Sequence, residues 1–148
     1  MLKEQLPDFF FSTKHGWTSV DENIATIGIT EFAARVLGEI LYIELPDEGD
    51  RTFAEVSFGT VESVAGFMEV TGLVSGVVME VNSRILEAPY TINDDPYGQG
   101  WIMRVEMESE KDLLPLMKKD AYLDWLGPRQ VQRFENLSSA QISETLGV

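Results

Sequence analysis

Apolar positions recur along this chain with two periods, and the switches between them mark out its elements. Asn23-Ile24-Ala25-Thr26-Ile27-Gly28-Ile29 alternates and is rich in β-branched residues, so it predicts a strand, the first clear one. Thr30 then has the chemistry of a helix N-cap, and Glu31 places a carboxylate in the first turn, where the helix dipole favours it. Phe32, Val36 and Leu37 give that short helix one apolar face, and Gly38 stops it. Glu39 to Leu45 predicts a second strand, followed by the breaker-rich turn Pro46-Asp47-Glu48-Gly49-Asp50. Phe53 to Phe58 and Thr60 to Val64 predict two strand segments. A tight turn at Ala65-Gly66 follows, and Phe67 to Val70 leaves it as a strand. Gly76 to Asn82 and Gly100 to Met107 predict the last two strands.

The C-terminal part changes character. Lys111 to Met117 and Asp120 to Leu126 predict short helices with apolar faces, with Pro115 near an end of the first and Gly127-Pro128 stopping the second. Beyond Arg129 the chain is polar, and Ser138-Ser139-Ala140-Gln141 has the pattern of a cap for a helix through Leu146. Several short strands followed by helices argue a β-rich α+β fold: a β-sandwich with short flanking helices. A faint echo between Gly38–Glu44 and Gly76–Val81 suits two similar halves.

Composition narrows the classes. At 148 residues the chain has room for one domain with a real core. No apolar run approaches the ~18 residues of a membrane span, and the mixed-charge N-terminus has no signal-peptide core; a cytoplasmic protein is the simplest expectation. Cysteine is absent, which removes disulfides, thiolate metal sites and Cys nucleophiles. A net charge of −14 repels nucleic acid and anionic membranes and suits basic partner proteins.

Candidate chemistry is sparse. His15 is the only histidine in the chain, so no second one shares proton transfer or metal ligation, and a structural role is expected. Asp94-Asp95 with Glu87 lacks the spacing of a calcium loop and reads as a Pro-Tyr-Gly turn. Gly98-Gln99-Gly100 precedes no helix and is no nucleotide loop. Trp17 and Trp101 are expected in the core.

Five segments, in order and at matching spacing, resemble the H protein of the glycine cleavage system. Phe11-Ser12-Thr13-Lys14-His15-Gly16-Trp17 is similar to the family's opening. Ile27 to Ala33 with Leu37 to Pro46 is similar to its strand-helix-strand core. Phe58-Gly59-Thr60-Val61-Glu62-Ser63-Val64 resembles the approach to its lipoyl turn. Val74-Ser75-Gly76-Val77-Val78 and Asn93-Asp94-Asp95-Pro96-Tyr97-Gly98-Gln99-Gly100-Trp101 resemble two further motifs. The resemblance divides the chain into an N-terminal extension (1–10), an H-protein-like lipoyl domain (11–126) and a tail (127–148). It implies a lipoyl/biotinyl-type β-sandwich, the barrel-sandwich hybrid.

The resemblance also implies a function and its interruption. In the family, a lysine at the hairpin tip is held out in solvent and carries lipoate. That arm shuttles an aminomethyl group between a decarboxylase, an aminomethyltransferase and a dihydrolipoyl dehydrogenase; the protein is a carrier and not an enzyme, with no catalytic residue of its own. Here that position is Ala65, flanked by Ser63, Val64 and Gly66. Glu62 and Gly76 match the two positions by which the lipoylating enzyme recognises its target. No lysine lies between His15 and Glu110 to replace the missing one. No metal and no covalent lipoate are therefore expected on this chain, although the parent family carries lipoate. Three origins of Ala65 stay open: a laboratory Lys→Ala variant, a natural paralogue serving as an adaptor or binding module, or an H-like lipoate-binding protein of a heterodisulfide-reductase-like sulfur oxidation pathway.

Overall fold

The computed structural model describes residues 6–133. Strands β1 (Phe10–Phe11), β2 (Gly16–Asp21) and β3 (Ile24–Ile29) open the chain, and helix α1 (Glu31–Leu37) follows. Next come β4 (Ile40–Glu44), β5 (Arg51–Thr52), β6 (Ser57–Ser63), β7 (Gly66–Thr71) and β8 (Gly76–Val81). Two short helices, α2 (Ser83–Glu87) and α3 (Thr91–Asp94), precede β9 (Met103–Met107), a 3-10 turn (Glu110–Leu113) and helix α4 (Lys119–Arg133). The strands form two antiparallel sheets, one of order β1-β2-β3-β9-β8-β5 and one of order β4-β6-β7.

Alternation along the strands builds the core between the sheets. Ile27 and Ile29 of β3, Ile40 and Ile43 of β4, Val61 of β6, Met68 and Val70 of β7, Val78 of β8 and Met103 and Val105 of β9 are all buried. The echoing segments fall in different sheets, β4 in the three-stranded one and β8 in the six-stranded one. Helix α1 forms as its sequence predicts. Thr30 Oγ1 accepts from the Ala33 N–H at 3.2 Å, and the Gly38 N–H closes the last turn on the Ala34 carbonyl. Its Phe32, Val36 and Leu37 are buried with Ala33 and Ala34.

The differences from the sequence expectation have local causes. Strand β2, not singled out, carries the polar Thr18 fully buried, which hides its alternation. Phe53 to Val56 is a turn and not a strand, and β6 runs on through Gly59 as one strand. The last strand begins at Met103, because Gly100 to Ile102 belongs to the preceding loop. Helix over Lys111 to Met117 shrinks to the 3-10 turn, after which Met117 bridges back to Phe11. Gly127 leaves helical geometry (φ 76°, ψ 152°) as expected of Gly127-Pro128, but helix resumes beyond it as far as Arg133. Residues 6–10 pack onto the sandwich: Leu6 is buried and Phe9 stacks on Trp17 at 4.9 Å between ring centroids. The helix expected from Ser138 lies outside the described residues. Among the described residues no helix is long and apolar enough to cross a membrane.

Two polar clamps fix α1 against its surroundings. Asn93 of α3 donates to the carbonyls of Ala34 (3.2 Å) and Gly38 (2.7 Å) and accepts from the Ile40 N–H (2.9 Å). It thereby supplies backbone partners where the helix ends and β4 begins. Tyr97 accepts from the Glu31 N–H at 2.9 Å at the other end. The second clamp joins His15, Tyr122 and Thr30. The Tyr122 hydroxyl is bonded on both sides, to Thr30 Oγ1 at 3.3 Å and to His15 Nδ1 at 3.0 Å. Burial holds His15 down at about 4, with the charge of Lys14 adding to it, and burial pushes both Tyr97 and Tyr122 up. His15 is thus neutral and structural, packed between Phe32, Tyr122 and Trp125.

Candidate functional site

The β6–β7 hairpin gathers most of the candidate residues. The pair Ser63↔Gly66 closes its end, so the two loop residues are Val64 and Ala65, one position earlier than the sequence expectation of Ala65-Gly66. Val64 and Ala65 both keep negative φ, unlike the primed turns of most two-residue hairpins. Gly66 takes up the difference with φ 156°, a value that side-chain-bearing residues rarely adopt. Ser63 holds the turn from within: its Oγ accepts from the Ala65 N–H (3.2 Å) and donates to the Gly66 carbonyl (3.1 Å). The Val64 N–H donates to the Glu39 carbonyl at 3.0 Å, which ties the tip to the start of β4.

Ala65 is half-buried and packs against the edge of the core, whereas Val64 is 65% exposed. The turn leans on the end of α1, where Val64 Cγ2 would stand 3.3 Å from a Cβ placed at Gly38. Glu62 faces solvent on β6, opposite Tyr42 of β4 and Phe67 of β7.

Gly76 stands apart from the hairpin. It opens β8 in the six-stranded sheet, opposite Thr52 and Met107. A Cβ there would stand against the Glu106 carbonyl oxygen and within 2.9 Å of Val105 Cγ1, so the backbone approach itself requires glycine.

The remaining candidates resolve into structure. Asp95 Oδ2 accepts from the Gln99 N–H (2.8 Å), and Asn82 donates to the carbonyls of Gln99 (2.8 Å) and Trp101 (2.6 Å), which makes this loop a self-tied turn. Among the described residues no group of three His, Asp or Glu side chains is arranged to hold a metal. Trp17 is buried, with its indole N–H donating to the Pro96 carbonyl (3.0 Å). Trp101 is only half-buried and lies under the Arg104 guanidinium at 3.9 Å. The turn-organising role of Ser63 and the clamp by Asn93 went unread in the sequence. The signal for the first was a hydroxyl two residues before a loop N–H.

Two antiparallel sheets packed face to face, with few short helices and a tight hairpin at one end of the smaller sheet, define a lipoyl-type β-sandwich. The chain belongs to the glycine cleavage H-protein family, whose model matches residues 9–128. It is 46% identical over 115 residues to a glycine cleavage system H protein of Carboxydothermus hydrogenoformans, covering 78% of this chain and 88% of that one. It is 42% identical over 117 residues to the mitochondrial glycine cleavage system H protein 2 of Arabidopsis thaliana, covering 79% and 75%. The crystal structure of a glycine cleavage system H protein from Mycobacterium marinum superposes with a TM-score of 0.76 at 28% identity, covering 81% of this chain and 98% of that one.

Proposed function

We propose that this chain is a glycine cleavage H-protein scaffold of carrier type that cannot bear lipoate on its hairpin. The observation that carries the reading is Ala65 at the two-residue tip, directly after Glu62-Ser63-Val64. Lipoyl attachment joins a carboxyl group to a primary amine through an amide bond. A methyl group offers no nitrogen, so the residues present do not fit the cofactor, and no transfer step is assigned through it.

Membership of the family supports the rest. With a lysine at position 65, the scaffold would offer its arm to the decarboxylase, aminomethyltransferase and dihydrolipoyl dehydrogenase in turn, while the sandwich stays rigid behind a tight turn. Glu62, exposed on the same hairpin, suits recognition by the lipoylating enzyme. Gly76 acts there through the backbone path it permits. The chain performs no chemistry of its own in this reading and works in the cytoplasm as a component of a multi-enzyme system.

The test is intact mass after incubation with a lipoylating enzyme, lipoate and ATP. The Ala65 protein is expected to keep its mass, and Ala65→Lys to gain one lipoyl group. Glu62→Gln in the Ala65→Lys background is expected to slow that gain. A lipoyl group appearing on the Ala65 protein, or none on Ala65→Lys, would overturn the assignment.

A further inference from the structure

We propose that the cleft between the β1–β2 turn, the Ala54-Glu55 turn, the end of β7 and the 3-10 turn binds a small zwitterion with an apolar side chain, a free α-amino acid or a dipeptide. This site stands apart from the carrier reading: β7 runs from the hairpin tip to Thr71, which sets the cleft roughly 15–20 Å from position 65.

The cleft has a volume of about 590 Å³, within the range of small-molecule sites. Its apolar lining is the buried Leu73, the half-buried Leu116 and Pro115. Its walls are tied together by hydrogen bonds to the backbone. Asp112 Oδ2 accepts from the Ser75 N–H (2.8 Å), and Ser75 Oγ accepts from the Ala54 N–H (3.0 Å). Ser12 Oγ accepts from the N–H groups of Lys14 (3.2 Å) and Gly16 (3.1 Å). Glu55 is fixed as well: its N–H donates to the Gly72 carbonyl at 2.7 Å, and its φ of 66° is one that side-chain-bearing residues seldom adopt. Non-glycine residues in that region persist where their surroundings hold them, and they gather at ligand clamps. A site built before its ligand arrives loses less freedom on binding.

Charge selects the ligand. Four lysines fall among the described residues, and two of them, Lys14 and Lys111, line this cleft. Glu55 and Asp112 line it too. An anion alone would meet two carboxylates in a molecule of net charge −14, and a cation alone would meet two ammonium groups. A zwitterion is neutral as a whole and offers each sign an opposite partner: its carboxylate to the lysines, its ammonium to Glu55 and Asp112. Its side chain covers the apolar lining, whose burial supplies affinity that exposed charge pairs lack.

The experiment titrates the full chain with leucine and with glycyl-leucine and follows its backbone amide shifts by NMR. Saturable binding of at least one is expected, with Kd of about 1 mM or tighter and the largest shifts at Leu73 and Leu116. The tighter of the two sets the length that the cleft accepts. N-acetyl-leucine keeps only the carboxylate and leucinamide only the ammonium, and each should bind about tenfold more weakly or worse. Serine in place of leucine in either ligand should do the same. Glu55→Asn, which tolerates the left-handed backbone, and Lys111→Gln should each raise Kd about threefold. Arg84→Gln, on α2 and outside the cleft, should leave it unchanged. The amide spectrum shows that each variant is folded, and the ligand series on the unaltered chain decides where a variant is not. No saturable binding up to about 10 mM, equal binding of the blocked ligands, shifts confined to residues outside the cleft, or unchanged affinity in both folded variants would overturn the proposal. Lipoate enters none of these measurements, so this site and the reading of Ala65 fail separately.

Discussion

At the scale of the residue, position 65 and position 15 show how one side chain fixes what a scaffold can do. Ala65 carries a methyl group and no nitrogen, and the turn around it is held by Ser63, which bonds only backbone groups. His15 sits at positive φ (64°), buried and neutral, with its pKa lowered from 6.5 to about 4. The unfolded chain takes up the proton between those two values while the folded chain does not. The contribution is therefore complete above pH 6.5 and is lost as pH falls towards 4, by about 3 kcal/mol at most. His15→Asn, which tolerates the left-handed backbone, should abolish that component. The unfolding free energies of the wild type and the variant, measured by denaturant titration, are expected to converge between pH 7 and pH 4.5, and parallel curves would contradict this. Both residues are plain in the sequence, but neither the partial burial of Ala65 nor the depressed pKa of His15 is, since each depends on neighbours far along the chain.

At the scale of the element, legibility followed continuity. The unit β3–α1–β4 could be read because Thr30, the apolar face and Gly38 act within a few residues of one another. Helices α2 and α3, at 5 and 4 residues, are too short to show a period. The sequence shows strand β6 as two pieces because Gly59 interrupts it; the glycine is there because the Glu44 backbone passes close by. What joins the elements is also non-local. Asn93 satisfies three backbone groups at the junction of α1 and β4 across 53 or more residues of sequence. Asn93→Ala leaves those groups without their partner and is expected to cost about 2–3 kcal/mol. Chemical denaturation would measure it, and a loss below about 0.5 kcal/mol would show that water replaces the amide freely.

At the scale of the whole molecule, the C-terminal segment closes the sandwich. Met117 pairs with Phe11 of β1, and Tyr122 of α4 is buried against Phe11, stacked at 5.0 Å, and bonded into the His15–Thr30 clamp. One aromatic side chain thus links helix α4, strand β1 and the cap of α1. Tyr122→Ala is expected to cost about 3–5 kcal/mol through the cavity and the orphaned polar groups. Tyr122→Phe keeps the ring and should cost roughly 1–2 kcal/mol. Thermal unfolding of the two variants beside the wild type separates packing from hydrogen bonding; equal losses would place the whole effect in the hydroxyl. Net charge works at this scale too: −14 opposes the close approach of nucleic acid and of other strongly acidic surfaces.

The sequence by itself determined the β-rich class, the strand-helix-strand core, the family resemblance and the absence of an amine on the hairpin. These are properties of local period, capping and residue identity, which need no knowledge of what packs on what. Only the tertiary structure decided which loop residue faces water and that Gly76 answers to the Glu106 backbone. It also decided that Tyr42, Glu62 and Phe67 form one row, because cross-strand register and close approach arise when distant segments meet.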